Sequence, residues 1–312
     1  MRFAADRRTI AFILGHFALV AAAWNVWPHV NKPVAALIVV VVAISAWIQA
    51  VITHNTVHAP IWKSHRANSL TQIALSMTYG FPVSEFIPGH NMSHHRYLQT
   101  PRDLMRTSKL RYRWNLLNVL LFFAHIGAGV TIGNAQYIKE MGTTKRKWLQ
   151  QLRTELVITW AFKITILFID WKRGIFLFLI PAFYAVWGIT SINYLQHDGC
   201  DENHPYNHSR NFMGHVLNWF TFNNGFHGIH HDHPGLHWSL LRAAHMKEIH
   251  GKIDPALEQK SIVAYAFRAY IWPGKRLTFD GKPVVLPPPA ADEPWFGLNA
   301  PITDDVVEST AR

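Results

Sequence analysis

Nine of the 20 His residues in this 312-residue chain fall in four short clusters. The clusters are His54-Asn-Thr-Val-His58, His90-Asn-Met-Ser-His94-His95, the end of Asn193-Tyr-Leu-Gln-His197, and His227-Gly-Ile-His230-His231. Imidazole is a common metal ligand and suits zinc, copper, iron and nickel. The clusters therefore predict a metal centre, and the ligand type alone leaves the metal open.

The spacing within the clusters suggests how the ligands are shared. Residues three or four apart lie on one face of an α-helix. Three pairs have this spacing: His54 and His58, His90 and His94, and His227 and His230. Each of these pairs can therefore offer two imidazoles to one site. Adjacent residues point about 100° apart on a helix. His94 and His95, and likewise His230 and His231, are therefore expected to reach two different metals.

Any one of these patterns is weak evidence, because a chain this rich in His contains about one HxxxH by chance. The set is stronger, because the clusters are all predicted to lie on the same side of a membrane. The alternative is a pH-sensitive, His-rich face, or His residues that are neutral members of the core. A metal-bound His usually donates its other ring N–H to a carboxylate or carbonyl. Six polar residues are candidates to accept such a hydrogen bond: Asn91, Asp103, Asn193, Asp198, Asp201 and Asp232.

Long apolar segments provide the elements that position the clusters. Thr9–Trp27 and Pro33–Thr53 are each about as long as a bilayer-spanning helix and are predicted to form a hairpin. Glu155–Ile169 and Gly174–Ile192 are predicted to form a second hairpin. We expect Trp114–Asn134 to lie on the membrane or dip into it. A six-helix arrangement, in which 69–87 and 114–134 both cross, is the alternative.

The fold class predicted from these segments is all-α: a polytopic membrane helical bundle with a helical, His-rich cap. Lys and Arg are concentrated in 54–113 and 135–153, which places those stretches and the His clusters in the cytoplasm. Residues 1–281 are predicted to form one integral-membrane domain. Residues 282–312 are rich in Pro and then acidic, and are predicted to form an extended tail.

Composition excludes several classes of protein. Cys200 is the sole cysteine, which excludes a disulfide scaffold and a CxxC zinc or iron–sulfur site. A chain that is 49% hydrophobic is not disordered as a whole. The net charge of +11 suits nucleic acid, an anionic membrane surface or an acidic protein. Membrane topology already accounts for this charge, so we expect no nucleic-acid partner.

The clusters also carry a resemblance. HNTVH, HNMSHH and FHGIHH resemble the three histidine boxes of the membrane fatty acid desaturase superfamily, which includes alkane and xylene monooxygenases. NYLQHDG resembles that superfamily's single-His motif, although alkane hydroxylases have Glu where this chain has Gln196. The resemblance covers about residues 33–250. It implies a non-haem di-iron centre, O2 as the oxidant, and an apolar chain threaded into the helix bundle. The implied ligands are His54, His58, His90, His94, His95, His197, His227, His230 and His231.

Within the superfamily, Gln196 and the long His-rich region 197–250 favour a desaturase acting on a fatty acyl or lipid chain. A hydroxylase of alkanes or other apolar chains, and a fatty acid decarboxylase that yields terminal alkenes, are the alternatives within the superfamily. A His-rich metal transporter or sensor is the alternative from another class, although the predicted spans contain few of the polar groups that transport requires.

We also expect a separate electron donor of the ferredoxin, rubredoxin or cytochrome b5 type, because no such domain is recognisable in the chain. The residues expected to receive it are basic: Lys63, Arg66, Arg102, Arg106, Lys109, Arg111 and Arg113.

Overall fold

The structure, a computed structural model, describes residues 1–141 and 143–293. Its α-helices are α1 (Asp6–Val26), α2 (Lys32–His58), α3 (His65–Tyr79), α4 (His95–Tyr97), α5 (Asn115–Met141), α6 (Arg146–Ile169), α7 (Trp171–Gly174), α8 (Ile180–His197), α9 (His215–Phe220), α10 (His227–Asp232), α11 (Leu241–Glu248) and α12 (Ile262–Ala266). The predicted all-α fold is confirmed. Residues 294–312, the greater part of the predicted tail, lie outside the described residues.

Several shorter elements complete the chain. Turns of 3₁₀-helix are Trp27–His29, Val83–Glu85, Thr107–Lys109, Trp238–Leu240 and Pro255–Leu257. Turns of π-helix are Ile87–His94, Ile175–Leu179 and Phe267–Ile271. Two short strands, β1 (Asn211–Phe212) and β2 (Glu258–Gln259), pair in parallel.

Among the described residues, four helical stretches are long and apolar enough to cross a membrane. They are Asp6–His29, Lys32–His58, Asn115–Glu140 and Trp171–His197. The number agrees with the sequence analysis, but the membership differs in one helix. Asn115–Glu140 qualifies, whereas Arg153, Glu155 and Lys163 interrupt the apolar part of α6.

The chain divides into two compact units. The first contains Met1–Ile87 and Ile138–Ile189; the second contains Pro88–Tyr137 and the described residues from Thr190 onward. In the first unit, α2 begins where the side chain of Asn31 accepts a hydrogen bond from Val34 N (3.1 Å). Helix α3 ends at Gly80, which has a φ of +91°. Because a Cβ at this position would also lie 2.3 Å from Ala182 Cβ, the helix end requires glycine.

A buried carboxylate anchors the chain of the first unit just before the second His cluster. Glu155 on α6 accepts hydrogen bonds from Ser84 N and Gln151 Nε2, both at 2.8 Å. The indole of Trp148, also on α6, donates to Ser84 O (3.2 Å). These contacts fix the Val83–Glu85 turn from which the Ile87–His94 helix continues.

The core of the second unit is formed where α5 meets the end of α8 and the segments that follow it. Phe122, Leu110, Tyr194 and Phe212 are fully buried in this core. The parallel pairing of β1 with β2 brings the chain before α10 alongside the chain after α11.

Candidate metal centre

The second His cluster lies on a π-helix, and this changes which of its residues share a face. In Ile87–His94 the backbone repeats its hydrogen bonds every five residues rather than every four. His90 and His95 therefore face each other, with their Nε2 atoms 3.1 Å apart. On a regular α-helix His90 and His94 could have served one site, but here His94 belongs to a different group.

The fourth cluster divides in a similar way, although α10 is a regular α-helix. His227 and His231 lie one turn apart, with 3.1 Å between their Nε2 atoms. His230 points elsewhere and packs its ring 4.7 Å from that of His95. His227 is therefore grouped with His231, four residues away, and not with His230, three residues away.

One group of four imidazoles forms within the second unit. The potential ligand atoms of His94, His197, His227 and His231 all lie within 4.8 Å of one another. His197 Nε2 lies 2.8 Å from His227 Nε2 and 3.1 Å from His231 Nε2. His94 and His197 sit in the interior, on the second cluster and at the end of α8 respectively. Three separate stretches of sequence position these four rings.

A second group of imidazoles lies beside the first. In the second unit it comprises His90, His95 and His230. The ring of His95 stacks on that of His231, with centroids 4.3 Å apart, so the two groups are in direct contact. The neighbours His94 and His95 thus fall in different groups, as do His230 and His231.

The first His cluster lies in the other unit, at the end of α2. His54 and His58 are one turn apart there, and their ring centroids are separated by 5.3 Å. The His54 ring also contacts Phe86 edge-on. The two imidazoles therefore form a ready pair on one helix face.

A buried carboxylate orients His94. Asp103 Oδ2 lies 3.0 Å from His94 Nδ1, and neither side chain is exposed to solvent. Asp103 also accepts hydrogen bonds from the backbone N–H groups of Gln99 and Met105. Burial raises the pKa of the Asp103 carboxyl, but His94 and these hydrogen bonds outweigh burial and hold the pKa below its usual value. The ionised carboxylate keeps the proton on Nδ1, so His94 Nε2 presents a lone pair to the group.

His197 is oriented by a backbone carbonyl instead. His197 Nδ1 lies 3.3 Å from His208 O, and donation to this carbonyl leaves Nε2 free to act as a ligand. The role of His208 was missed, because a backbone acceptor leaves no signal in residue type. Among the other polar candidates, Asp232 contacts His208 Nε2 at 3.3 Å, and Asp201 accepts from Asn203 N in a turn. Asp198 pairs with Arg276.

The four-His group fits a metal ion better than it fits hydrogen bonding alone. The Nε2 atoms of His197, His227 and His231 are in mutual contact, and each nitrogen is either a donor or an acceptor. At least one of the three pairs must therefore be donor facing donor or acceptor facing acceptor, which cannot form a hydrogen bond. The observed separations of 2.8–3.1 Å suit nitrogens bound about 2.1 Å from one ion, which lie roughly 3 Å apart.

Two further observations support the fit. Among the described residues, the buried Nε2 of His94 has no hydrogen-bond partner. Burial, and then the surrounding imidazoles, lower the pKa of His231 well below its usual value, so its ring is neutral near pH 7 and able to bind a metal. An all-imidazole set suits iron, zinc, copper or nickel rather than magnesium or calcium.

Three further possible ligands, His245, His250 and Glu258, are joined by hydrogen bonds. Glu258 on β2 lies 2.8 Å from His245 Nε2 and about 2.9 Å from His250 Nδ1. These contacts join β2 to α11. These residues were not among the ligands predicted for the metal centre.

The turn that leads into α10 has no room for a side chain at Gly225. A Cβ there would lie 2.2 Å from Phe212 O and 2.6 Å from Asn218 Oδ1, both of which are held in place by hydrogen bonds. We expect Gly225→Ala to displace His227, to destabilise the protein by about 1–3 kcal/mol and to lower the metal content. Gly235→Ala is the matched control, since a Cβ at Gly235 meets nothing within 4 Å. Metal analysis of both purified variants makes the comparison, and equal metal contents would contradict the prediction.

Comparison with known proteins agrees with this arrangement. The family model described as fatty acid desaturase matches residues 31–260, which include all four His clusters. No curated protein matches the chain.

Proposed function

Because the chain belongs to the fatty acid desaturase family, we propose that it is a membrane-bound, di-iron, O2-dependent desaturase that introduces a double bond into a fatty acyl or lipid chain. The observation that carries this proposal is the pair of adjacent imidazole groups within the matched region. Two neighbouring groups suit two neighbouring ions.

We assign the ligands in two sets. His94, His197, His227 and His231 would hold one iron, and His90, His95 and His230 would contribute to the other. The assignment of His54 and His58 to the second iron rests on their match to the first histidine box of the family. When bound, the iron pair would activate O2 for the removal of hydrogen from an unactivated C–H bond.

The protein's own residues prepare the site for this reaction. Asp103 and His208 O orient two ligands and fix their tautomers. Burial keeps water from the ligand atoms and keeps the His231 ring neutral. The overall reaction removes two hydrogen atoms from the chain and, with two electrons from the donor and two protons from solvent, reduces one O2 to two waters. The distribution of Lys and Arg supports a centre that faces the cytoplasm.

Gln196 favours the desaturase over a hydroxylase of the alkane type. Its buried amide nitrogen donates to Asn224 O (3.1 Å), which ties the end of α8 to the turn before His227. An ionised Glu at this position has no N–H to donate, so its carboxylate oxygen would face the carbonyl oxygen of Asn224 without a hydrogen bond. Hydroxylation and decarboxylation remain the alternative outcomes, because all three reactions begin by removing hydrogen from the chain.

Product analysis tests the reaction directly. Lipids and hydrocarbons from cells that express the intact chain, with iron and an electron donor supplied, would be compared by gas chromatography–mass spectrometry with those from His94→Ala cells. His233→Ala is the matched control, since His233 is half exposed and pairs with Glu248. We expect new unsaturated acyl chains with the intact chain and the control but not with His94→Ala. Alcohols or terminal alkenes in their place would make hydroxylation or decarboxylation the reaction.

A further inference from the structure

A stretch of the C-terminal segment lies across basic residues beside the metal centre. This tail segment, Pro287–Glu293, contacts four side chains that form a basic surface: Arg102, Arg106, Lys109 and Arg111. All of these residues belong to the second unit. The acidic end of the tail segment thus meets the positive charges that follow the second His cluster.

Asp292 makes the central contacts. Its carboxylate pairs with Arg106 Nη1 and, at 2.9 Å, with Lys109 Nζ. Arg106 Nη2 also donates to Ala290 O (2.6 Å), and only 6% of the Arg106 side chain is exposed. Burial raises the pKa of Asp292, but the hydrogen bonds from Lys109 and Arg106 outweigh burial and lower it, so the carboxyl is ionised at neutral pH.

The ends of the tail segment are held as well. Arg111 donates to Pro287 O, and Glu293 N donates to Pro101 O (3.1 Å). Arg102 lies 3.5 Å from the Glu293 carboxylate, although both side chains are about half exposed. The surface therefore accepts an extended acidic peptide through two carboxylates and two backbone carbonyls.

A short path of chain and hydrogen bonds connects the basic surface to the metal centre. Asp103, which orients His94, lies between Arg102 and Arg106 in the chain. Ser93 Oγ donates to Arg102 O (2.8 Å) and accepts from Leu104 N (2.9 Å), so this stretch is fastened to the helix that carries His94. An electron carrier that lay on these residues would sit close to one of the proposed iron ligands.

We propose that the tail segment occupies the docking surface of a small acidic electron-transfer protein, and that the donor displaces the segment when it binds. The contacts of Asp292 and Glu293 are internal substitutes for those the donor's carboxylates would make. This inference rests on the proposed function, because only an O2-dependent oxidoreductase of this family needs the donor.

A protein fits the surface better than a lipid headgroup does. The tail segment presents carboxylates and backbone carbonyls along an extended chain, which are the groups that a protein partner offers. Electrostatic complementarity of this kind accelerates association and selects partners. Association of anionic lipid with the same residues is the competing outcome of the test.

Competition between the tail segment and the donor has a measurable size. If the tail segment covers the surface for about nine-tenths of the time, the apparent Kd for the donor is about tenfold higher than for the open surface. We expect the double variant Asp292→Asn, Glu293→Gln to lower the donor Kd by about 3- to 10-fold. We expect Arg102→Gln, Lys109→Gln to raise the donor Kd and to weaken its salt dependence.

The experiment uses the full-length protein, loaded with iron, in neutral-lipid nanodiscs and, in parallel, in nanodiscs that contain anionic lipid. Binding of an acidic [2Fe–2S] ferredoxin is measured by biolayer interferometry at low and physiological salt. Asp280→Asn is the matched control, since Asp280 is an acidic residue that pairs with Lys282 and not with a member of the basic surface. Truncation before Pro287 is a second variant, expected to bind ferredoxin as tightly as the tail double variant does.

The outcomes separate the two proposals. Tighter ferredoxin binding by both tail variants, with Asp280→Asn unchanged, supports the inference. Equal binding by all variants overturns it, and so does a tail effect confined to nanodiscs that contain anionic lipid. Because binding is read without turnover, unsaturated products in the absence of any tail effect would refute the inference alone. A tail effect without any oxidised lipid product would refute the proposed function instead.

Discussion

Replacing Asp103 with alanine is expected to lower the iron affinity of the protein by about 10- to 100-fold. The carboxylate holds His94 Nδ1 at 3.0 Å in a site where neither side chain is exposed. Without it, the His94 ring is free to turn and to carry its proton on Nε2, the atom that faces His197, His227 and His231. We expect turnover to fall with the iron content.

The conservative variant makes this prediction specific. Asp103 accepts three hydrogen bonds, from His94, from Gln99 N and from Met105 N. Asn has one acceptor oxygen, so its NH2 group must oppose at least one of these donors. Asp103→Asn should therefore retain part of the orientation of His94 and give an iron affinity between those of the wild type and Asp103→Ala.

Iron retention against a graded series of chelator concentrations measures the effect in the purified protein. Asp232→Ala is the matched control, because the Asp232 carboxylate is about one-third exposed and contacts His208 rather than a proposed iron ligand. Thermal unfolding of the same samples shows whether the fold survives. Wild-type iron retention by Asp103→Ala would show that the carboxylate does not support the centre.

The clusters were visible in the sequence, but their division into two groups was not. Residue spacing predicts shared faces only when the helix type is known, and Ile87–His94 is a π-helix. Its hydrogen-bond shift moves the partner of His90 from His94 to His95. The residue types alone do not predict that shift, because it depends on how the helix is held at both ends.

The supporting contacts divide in the same way. Asp103 was one of six polar candidates, and only the folding of 101–105 back onto Ser93 singles it out. The apolar segments were easier to predict, because hydropathy and length determine them. The membership of the candidate spans still differs from the prediction in one helix, since charges within an apolar run, as in α6, weigh against its length. The tail segment carried only a compositional signal, so its contacts with Arg106 and Lys109 could not be foreseen.

Replacing Arg276 with alanine is expected to destabilise the protein by about 3–5 kcal/mol. Arg276 and Asp198 form a buried pair directly after His197, with Arg276 Nε 2.9 Å and 3.0 Å from the two carboxylate oxygens. Burial lowers the pKa of Arg276, but Asp198 outweighs this effect and raises it. Loss of the guanidinium would leave the carboxylate in the interior without its cationic partner, although Tyr270 Oη still donates to it at 2.8 Å.

A second substitution should reverse most of this loss. In the double variant Arg276→Ala, Asp198→Asn the buried group is neutral, so the cost of an uncompensated charge disappears, and Tyr270 can still donate to the amide oxygen. The double variant is therefore expected to be more stable than Arg276→Ala alone. Simple loss of packing would instead make the double variant equal to, or worse than, the single one.

Thermal unfolding in detergent separates these cases, with a decrease in Tm of roughly 10 °C expected for Arg276→Ala. Arg268→Ala is the matched control, since Arg268 is exposed and donates to Gln259 Oε1 at 3.0 Å. Because Asp198 directly follows His197, the iron content should fall in Arg276→Ala and recover in the double variant. A loss of iron that does not recover with stability would mean that Asp198 itself supports His197, and not only through its pairing with Arg276.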